Sequence, residues 1–558
     1  MQSKTKTSYV FISGGVLSGL GKGVATASLG VLLKSRGYKV TPVKCENYLN
    51  IDAGLINPIE HGDPFLCEDG TEADMDLGTY EKFLNQDITK RNFITMGQIY
   101  NSVIEKERNF EYGGEDVEAI PHVTDEIIDR IVKAGEEENA EIVLIELGGT
   151  VGEYQNSLYY EASRIMRLAR GLNTLHIHVG YLPVPKHIGE PKTKPTQLSV
   201  KLLNGMGIQP EFILARSAKP IDDRRRERFA LFCNVIPEHI IDAPDVDSVY
   251  EIPQNFLKQN FDEKVLKALN IKIKPINISQ WSEYVKKSQK KNKKTIKIGI
   301  VGKYFATGEY DLKDSYAALY DALEHASTHL ELNLDIIGIN SEKFANESDK
   351  KLADLDGIIV PIGWGSRGVE GKIKAIKYAR VNKTPYLGLC YGMQLAVVEY
   401  ARNVLGWKDA HTQEVDPKSS HQVIHIIPEQ ERILENRAYG GTMRLGGWDC
   451  KVKPNTISYN AYDKANQFTN KEKGIVSERH RHRYEFNNKY AQEIEKAGLI
   501  ISGRSTKEDL VELIELPKDI HPFFLGTQGH PEYKSRPLRP HPLFIEFLRS
   551  AINNKTSK

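Results

Sequence analysis

The chain has 558 residues and nearly balanced charge, with 75 lysines and arginines against 74 aspartates and glutamates. This length exceeds what one hydrophobic core supports, so we expect at least two domains, and the balanced charge gives no bulk attraction to nucleic acid or an anionic membrane. The sequence shows no apolar run near the ~18 residues of a membrane span, no signal-peptide pattern, and no C-x-x-C pair among its five cysteines. These features predict a soluble cytoplasmic protein with free thiols.

The start of the chain predicts a strand, a glycine-rich turn, a helix and a second strand. The run YVFIS is apolar, VATASLGVLLKSRG is helical in composition, and YKVTPVK has the pattern of a strand. The turn SGGVLSGLGKG enters the helix, so its N–H groups and Lys22 can cradle a polyphosphate. It departs from a Walker A loop, because Val16 takes the first glycine position and Gly23 replaces the Ser or Thr that would bind Mg²⁺. A structural tight turn is the alternative.

If this turn binds phosphate, a metal ion needs ligands from elsewhere. One source is the acidic segment EDGTEADMDLG, which contains Asp76, and another is Glu146 near the end of EIVLIEL (141–147). Mg²⁺ takes one or two carboxylates together with phosphate oxygens and water. An acidic loop is usually only solvated, whereas a carboxylate that ends a buried parallel strand lies at the edge where such sheets bind ligands.

The composition changes over residues 271–295, which are polar and end in the basic run KKSQKKNKK. A charge run of this kind is typical of a solvated linker. Beyond it TIKIGIVGKY starts a new strand, and DGIIVPIGWG, PYLGLCYG and PFFLGTQGHPE predict three strand–turn units. We therefore predict an α/β protein of two doubly wound, mostly parallel-sheet domains, residues 1–270 and 296–558, joined by a basic linker at 271–295.

Cys390 lies between a predicted strand and a predicted helix, with glycines at 388 and 392. This spacing predicts a nucleophile elbow, in which the helix N-terminus offers N–H groups to an oxyanion. A lone cysteine is more often a buried structural residue. However, His530 and Glu532 stand two residues apart at a strand end, so that both side chains point the same way. They are the expected base and orienting acid of a Cys-His-Glu triad.

The pattern G-x-C-x-G-x-Q followed far downstream by H-P-E resembles the class I glutamine amidotransferases. The resemblance implies that Cys390 hydrolyses glutamine and that Gly363 contributes to the oxyanion hole, although Ile362 stands where the family usually has another glycine. An acid for the α-amino group and an arginine for the α-carboxylate are chemically suited to holding glutamine. The implied glutamine-binding residues are Gly363, Tyr391, Gly392, Met393, Gln394, Glu414 and Arg483.

Motifs along nearly the whole chain resemble the CTP synthase family. They are, in order, SGGVLSGLGKG, NPIEHGDPF, EDGTEADMDLG, IELGGTVG, GEPKTKPTQ, ALFCNV, DVDSVYEIP, GGTMRLG and ERHRHRYEFN. The resemblance implies amination of UTP to CTP through 4-phosphoryl-UTP, with ATP, Mg²⁺ and ammonia from glutamine. It further implies activation by GTP, feedback inhibition by CTP and a homotetramer that can form filaments, with no organic prosthetic group and no nucleic acid or membrane partner.

The same resemblance assigns residues to the nucleotide sites. The implied ATP-binding residues are Gly19, Leu20, Gly21, Lys22, Gly23, Val24, Lys44, Asp76, Asp245 and Val246, and the implied Mg²⁺ ligands are Asp76 and Glu146. The implied UTP or CTP contacts are Ser18, Glu153, Tyr154, Gln155, Lys192, Thr193, Lys194, Pro195, Thr196, Gln197 and Arg228. Residues 153–155 replace the family's usual Asp-Ile-Glu, and Arg228 replaces a lysine, so we expect altered feedback inhibition.

Two other interpretations compete with this one. Another amidoligase of the same architecture, such as a cobyrinic acid amide synthase, would use ATP to activate a carboxylate, but KTKPTQ and NPIEHGDPF match nucleotide handling instead. A structural or filament-forming protein with inactive sites would not need Cys390, His530, Glu532, Lys22 and Asp76, all of which are present.

Overall fold

The computed structural model describes residues 7–57, 62–187, 189–305, 313–428, 430, 432 and 439–557. By their contacts, Met1–Ala53 and Asp76–Val285 form a first unit, and Gly54–Met75 and Lys286–Lys558 form a second unit. Residues 54–75 therefore group with the second unit, and helix Ser279–Ser288 occupies part of the predicted linker. The predicted domain boundaries stay predictions. Part of the motif NPIEHGDPF, residues 58–61, lies outside the described residues.

The first unit contains a seven-stranded sheet in which every neighbouring pair is parallel. In spatial order its strands are Phe93–Thr95, Val40–Glu46, Ile142–Leu147, Ser8–Gly14, Asn173–Tyr181, Phe212–Ser217 and Ile240–Pro244. Parallel strands all end at one edge, so this edge collects the residues that follow each strand.

Helices connect and cover these strands. They are Lys22–Ser35, Met75–Leu84, Met96–Arg108, Thr124–Glu137, Ser157–Leu168, Lys194–Gly205, Asp223–Cys233, Ile252–Lys258, Phe261–Ala268 and Ser279–Ser288, with short helical turns at Lys90–Asn92, Ala119–Val123, Pro237–His239 and Val249–Glu251. All seven residues of strand Ser8–Gly14 and all six of Ile142–Leu147 are buried. Their near-continuous apolar sequences follow from this burial, because helices cover both faces of a parallel sheet.

The second unit contains a nine-stranded sheet. In spatial order its strands are Leu332–Asn340, Lys294–Gly302, Gly357–Val360, Tyr386–Leu389, Phe524–Thr527, Val511–Glu515, Ile500–Ser505, Arg444–Val452 and Ile475–His482. The first five strands are parallel and the remainder pair antiparallel. The α/β prediction is confirmed for both units, and the three predicted strand–turn units lie side by side. The antiparallel extension was not predicted.

Two small sheets and several helices complete the second unit. The sheets contain His411–Thr412, Gln422–Ile426 and Tyr484–Phe486, and separately Phe65–Leu66 and Glu72–Ala73. The helices are Ala317–His329, Ser341–Phe344, Lys350–Ala353, Val369–Val381, Tyr391–Asn403, Ile457–Ala465, Ala491–Lys496 and Pro542–Ser557, with 3₁₀ turns at Lys313–Tyr316, Asn488–Tyr490 and Pro531–Lys534. Across the described part of the chain, every helix is too short or too polar to cross a bilayer.

Candidate active sites

Cys390 occupies a strained turn in the second unit. Strand Tyr386–Leu389 ends immediately before it and helix Tyr391–Asn403 begins immediately after it. Its backbone has φ 50° and ψ −99°, and its N–H donates to the carbonyl of Thr527 at 2.7 Å. A positive φ is uncommon for a residue other than glycine and is typical of a strained nucleophile elbow. The geometry therefore presents the thiol at a helix N-terminus.

The glycines on either side of Cys390 are required by close packing. A Cβ atom at position 388 would lie 2.6 Å from the Tyr386 hydroxyl, and one at position 392 would overlap the carbonyl oxygen of Val360. Either substitution would force the turn apart, because interior atoms have no room to move without strain. The G-x-C-x-G spacing is thus a packing requirement of this elbow.

His530 and Glu532 form a buried pair in the same unit. Nδ1 of His530 lies 2.8 Å from Oε1 of Glu532, and the backbone N–H of His530 donates to the carbonyl of Arg479 at 2.7 Å. Burial lowers the pKa of His530, but the Glu532 carboxylate and the Cys390 thiolate more than offset it and raise this pKa to about 10. Nε2 of His530 has no hydrogen-bond partner among the described residues. The imidazole is therefore oriented, poised in its protonated form and coupled to Cys390.

A cavity of about 430 Å³ opens at the nucleophile. Its lining brings together the predicted nucleophile Cys390 and four of the seven predicted glutamine-binding residues, namely Gly363, Gln394, Glu414 and Arg483. Burial raises the pKa of the Glu414 carboxyl, which also accepts the N–H of Gly365 at 2.8 Å. The other three, Tyr391, Gly392 and Met393, do not line the cavity, and they are buried in the helix behind the nucleophile. The cavity offers an acid, an arginine and a thiol to one small ligand.

Gln528 is a residue of this site that the sequence reasoning did not single out. Its Nε2 lies 3.5 Å from Sγ of Cys390, and its Oε1 accepts from Nε2 of Gln394 at 3.2 Å. The side chain thus connects the nucleophile to the helix that follows it. Its position two residues before His530, in the same motif, is the signal that could have identified it.

The glycine-rich turn of the first unit leads from strand Ser8–Gly14 into helix Lys22–Ser35. Gly19 and Gly21 have φ values of 72° and 85°, and Val16 also has a positive φ, of 86°. The left-handed region is costly for a β-branched residue such as valine. Val16 therefore holds a backbone conformation that glycine would adopt freely, and the turn leads directly into the N-terminus of the helix.

Two lysines and two acids converge near this turn. Nζ of Lys22 donates to the carbonyl of Gly149 at 2.8 Å. Nζ of Lys44 lies 2.8 Å from Glu146 and also forms an ion pair with Asp76. Strand register explains part of the cluster, because Lys44 and Glu146 are opposite one another on paired strands.

The electrostatics of this cluster follow from burial and mutual charge. Burial lowers the pKa of Lys22 and raises that of Glu146, which the Asp76 carboxylate raises further. Burial alone would raise the pKa of Asp76, but the Lys44 ammonium holds it below its ordinary value. Burial alone would lower the pKa of Lys44, but Asp76 and Glu146 raise it well above its ordinary value.

Tyr80 and Glu46 belong to this cluster but were not predicted. The hydroxyl of Tyr80 donates to Oε2 of Glu146, and Oε1 of Glu46 lies 3.1 Å from Nζ of Lys44. The pairing of strands and the packing of a helix bring these two side chains into the cluster. The only sequence signal was the position of Glu46 two residues after the predicted strand YKVTPVK.

A divalent cation fits the carboxylates at the turn. A Cβ atom at Gly23 would overlap Oδ1 of Asp76 and would lie 3.3 Å from Oε2 of Glu146, so both acids reach the helix N-terminus over this glycine. Hard carboxylate oxygens are the donors that Mg²⁺ prefers. The described residues contain no group of three or more His, Cys, Asp or Glu arranged as a complete metal cage. Two acids beside the glycine-rich turn match the needs of Mg²⁺ if the ion also takes phosphate and water ligands.

A second cavity in the first unit, of about 530 Å³, collects basic residues. Five of the implied UTP or CTP contacts, namely Lys192, Thr193, Lys194, Gln197 and Arg228, line it together with Arg224, Arg225 and Phe232. Nζ of Lys192 lies 2.5 Å from Glu190, and Arg225 lies 2.7 Å from the same carboxylate. The basic side chains of this cavity suit a polyanionic ligand, which would compete with Glu190 for Lys192 and Arg225.

The remaining implied nucleotide contacts lie outside this cavity. Thr196 is buried and donates to the carbonyl of Tyr181 at 2.8 Å, and Tyr154 is 96% exposed. Glu153 accepts from the N–H of Thr150 at 2.9 Å and from Asn47 at 3.0 Å, so it stabilises the turn after Glu146. The other such contacts are Ser18, Gln155 and Pro195.

Asp245 and Val246, two of the implied ATP-binding residues, follow strand Ile240–Pro244 at the carboxyl edge of the parallel sheet. Asp245 forms an ion pair with Arg216 at 2.9 Å, and its N–H donates to the carbonyl of Ser217 at 3.0 Å. Val246 comes next in the chain. The structure thus places this pair at the edge that also carries Lys44 and Glu146.

Fold and sites together define an ATP-dependent amidoligase unit and a glutamine amidotransferase unit in one chain, and comparisons with known proteins agree. The family model described as CTP synthase N-terminus matches residues 8–271, and the model for class-I glutamine amidotransferase matches residues 311–550. A CTP synthase of Caldanaerobacter subterraneus is 47% identical over 98% of both chains. Those of Bacillus cytotoxicus and Carboxydothermus hydrogenoformans are 45% and 46% identical over 99% of this chain, covering 100% and 99% of theirs.

The chain therefore belongs to the CTP synthase family. Its reaction is the ATP-dependent amination of UTP to CTP with nitrogen from glutamine. This assignment favours the nucleotide interpretation over the alternative amidoligases considered from the sequence.

Proposed function

We propose that the two sites divide the reaction between them. The cluster of Lys22, Lys44, Asp76 and Glu146 activates UTP by phosphoryl transfer from ATP, and the triad of Cys390, His530 and Glu532 releases ammonia from glutamine. The observation that supports this division is the chemical contrast between the sites. The first gathers cations and hard oxygen donors at a phosphate-binding turn, and the second places a thiol beside an oriented imidazole.

In the second unit, the Cys390 thiolate attacks the side-chain amide carbon of glutamine. The protonated imidazole of His530 supplies a proton to the departing ammonia, and Glu532 holds that imidazole through Nδ1. The N–H groups at the start of helix Tyr391–Asn403, together with that of Gly363, stabilise the oxyanion. Water then hydrolyses the glutamyl thioester and frees glutamate. Glu414 and Arg483 hold the α-amino and α-carboxylate groups of the substrate.

In the first unit, the glycine-rich turn and Lys22 hold the ATP phosphates while the uracil O4 accepts the γ-phosphoryl group. Lys44, which pairs with Asp76 and Glu146, offsets the negative charge of the transferred γ-phosphoryl group. Asp76 and Glu146 would hold Mg²⁺, which, when bound, neutralises charge on the phosphates. Ammonia then adds at C4 and phosphate leaves, which yields CTP.

The basic cavity around Lys192 and Arg228 would hold the triphosphate of UTP, and CTP as a feedback inhibitor would compete there. The sequence 153–155 and Arg228 differ from the family pattern, so we expect the CTP inhibition of this chain to differ as well. Because the chain belongs to this family, we also propose that GTP activates it, that it forms a homotetramer able to form filaments, and that it is cytoplasmic.

The test is CTP formation from UTP and ATP, followed by absorbance, with either ammonia or glutamine as nitrogen donor. The proposal expects both donors to work in the wild-type enzyme and ammonia alone to work after loss of Cys390. Failure with ammonia would refute the role of the first unit. Failure with glutamine alone would refute the role of the triad.

A further inference from the structure

Lys372 is a buried lysine beside the candidate oxyanion hole, and the mechanism above gives it no role. It lies on helix Val369–Val381 and is 0% exposed. Among the residues that the structure describes, the charged neighbours of its Nζ are Lys303 and Cys390 and no carboxylate pairs with it, which is unusual because buried charges are normally paired. Burial and the neighbouring Lys303 lower its pKa to about 7. Charge pairing therefore does not explain why a lysine is buried at this position.

The partners of Lys372 are two successive backbone carbonyls. Its Nζ donates to the carbonyl of Pro361 at 3.1 Å and to that of Ile362 at 3.2 Å, and these two residues connect the end of strand Gly357–Val360 to Gly363. Two N–H donors are needed for these bonds, and both the neutral amine and the ammonium provide them. The side chain therefore fixes two consecutive peptide planes whichever protonation state it has.

These bonds determine the direction of the Gly363 amide. In a planar trans peptide, the N–H of Gly363 points opposite to the carbonyl of Ile362, and hence away from Lys372. Among the described residues this N–H donates to no acceptor. Gly363 and Cys390 line the same cavity, so a ligand oxygen there is the natural acceptor.

The surroundings of Lys372 leave this arrangement little freedom. A Cβ atom at Gly363 would lie 3.0 Å from Nζ of Lys372 and 3.3 Å from the ring of Tyr391, so a side chain there would require the lysine or the tyrosine to shift. The ammonium also lies 5.1 Å from the centre of the Tyr391 ring, whose hydroxyl donates to the carbonyl of Gly365 at 2.8 Å. The loop is therefore held on both sides of Gly363.

We propose that Lys372 is a positioning residue for glutamine hydrolysis, which orients the Gly363 amide toward the oxyanion by holding the carbonyls of Pro361 and Ile362. The inference rests on the proposed roles of Cys390 and Gly363. It explains how the loop keeps its direction although Ile362 replaces the more flexible glycine of related enzymes. Lys372 touches no substrate in this scheme and acts only through the peptide.

The test is Lys372→Met in the full chain, because methionine keeps an apolar stem but has no donor. The kcat for glutamate release should fall about 10-fold or more, since loss of an oxyanion donor costs ~100- to 1,000-fold. The KM for glutamine should not change, because Glu414 and Arg483 are untouched. Ammonia-dependent CTP synthesis should also be unchanged.

A second readout separates positioning from general damage. Alkylation of Cys390 by iodoacetamide forms no oxyanion, so its rate should match the wild type in the Lys372→Met variant. Lys374→Met is the matched control, because Lys374 lies on the same helix and also donates to two carbonyls, those of Phe344 and Glu347, away from the cavity. This control should retain the wild-type kcat.

An unchanged kcat in the Lys372→Met variant would overturn the proposal. Equal losses of kcat, alkylation rate and ammonia-dependent synthesis would also overturn it, because they would show a structural role. If the methionine variant does not fold, Lys372→Gln, which keeps N–H donors on a shorter chain, should lose part of the kcat with the KM unchanged. Retained glutamine hydrolysis in Cys390→Ala would instead refute the proposed function beneath the inference.

Discussion

The nucleophile of the second unit is held by backbone geometry, whereas the charged groups of the first unit are held by one another. Cys390 has a positive φ, and its flanking glycines leave no room for a side chain. In the first unit, Lys44 is instead fixed by ion pairs with Asp76, Glu146 and Glu46. A preformed elbow performs one reaction on one ligand, but a cluster of balancing charges must rearrange when an anion and a cation bind.

The largest effect should come from removing the nucleophile. Cys390→Ala should reduce glutamine hydrolysis by ~10⁶-fold, as loss of a triad nucleophile does in other enzymes, while ammonia-dependent CTP synthesis persists. The measurement is glutamate release beside CTP formation from ammonia. Cys450→Ala, which removes another buried thiol of the second unit, is the control. Loss of both activities in Cys390→Ala would show that the two sites are not independent.

A smaller but still large effect should follow from opening the charge cluster. Lys22→Ala or Asp76→Ala should lower ammonia-dependent and glutamine-dependent CTP synthesis by ~1,000-fold, because a charge that stabilises phosphoryl transfer is lost. Glutamate release should continue. Glu161→Ala, which removes a surface ion pair in the same unit, should leave CTP synthesis intact. Retained synthesis after loss of Lys22 or Asp76 would refute their assigned roles.

A methyl group at Gly23 should have a moderate effect. Gly23→Ala brings a Cβ atom into Oδ1 of Asp76, and overpacking of this size costs ~1–3 kcal/mol, which corresponds to roughly 5- to 150-fold in ammonia-dependent synthesis if the whole cost falls on the active arrangement. Initial rates of CTP formation measure it. Gly205→Ala is the matched control, since a Cβ atom there meets nothing within 4 Å. Equal rates for both variants would mean that Asp76 is free to move aside.

The smallest expected effect is a shift in pH dependence. The pKa of His530 is raised to about 10, so the protonated imidazole stabilises the fold below the unfolded pKa of about 6.5, and this contribution is lost as the pH rises through about 10. Glu532→Gln removes the largest favourable influence on this pKa. The alkaline limb of kcat/KM for glutamine should therefore move to lower pH, with the pH profile of ammonia-dependent synthesis as the reference. An unmoved limb would contradict the His530–Glu532 pairing.

The difference between the sites also explains what the sequence could predict. The elbow and the histidine motif are short, local patterns, so the sequence was enough to predict them. The three predicted strand–turn units, two of which contain these motifs, are adjacent parallel strands in the structure. The pairing of Lys44 with Glu146, by contrast, depends on which strands are adjacent, and Tyr80 reaches Glu146 only through the packing of a helix. The antiparallel extension was missed because strands such as RLGGWDCKV contain glycine and charge instead of an apolar run.

The grouping of residues 54–75 with the second unit has a consequence for biosynthesis. Glu68 and Glu72 pair with Arg479 and Arg481 at 2.9 Å and 2.6 Å, and the arginines are buried. Glu68 precedes its partner by 411 residues. At ~5–20 residues per second, a ribosome needs roughly 20–80 s to make that interval. During this time the segment, including the apolar Phe65, is synthesised long before its binding site exists, so its pairing with Arg479 and Arg481 is a late step in the folding of the second unit.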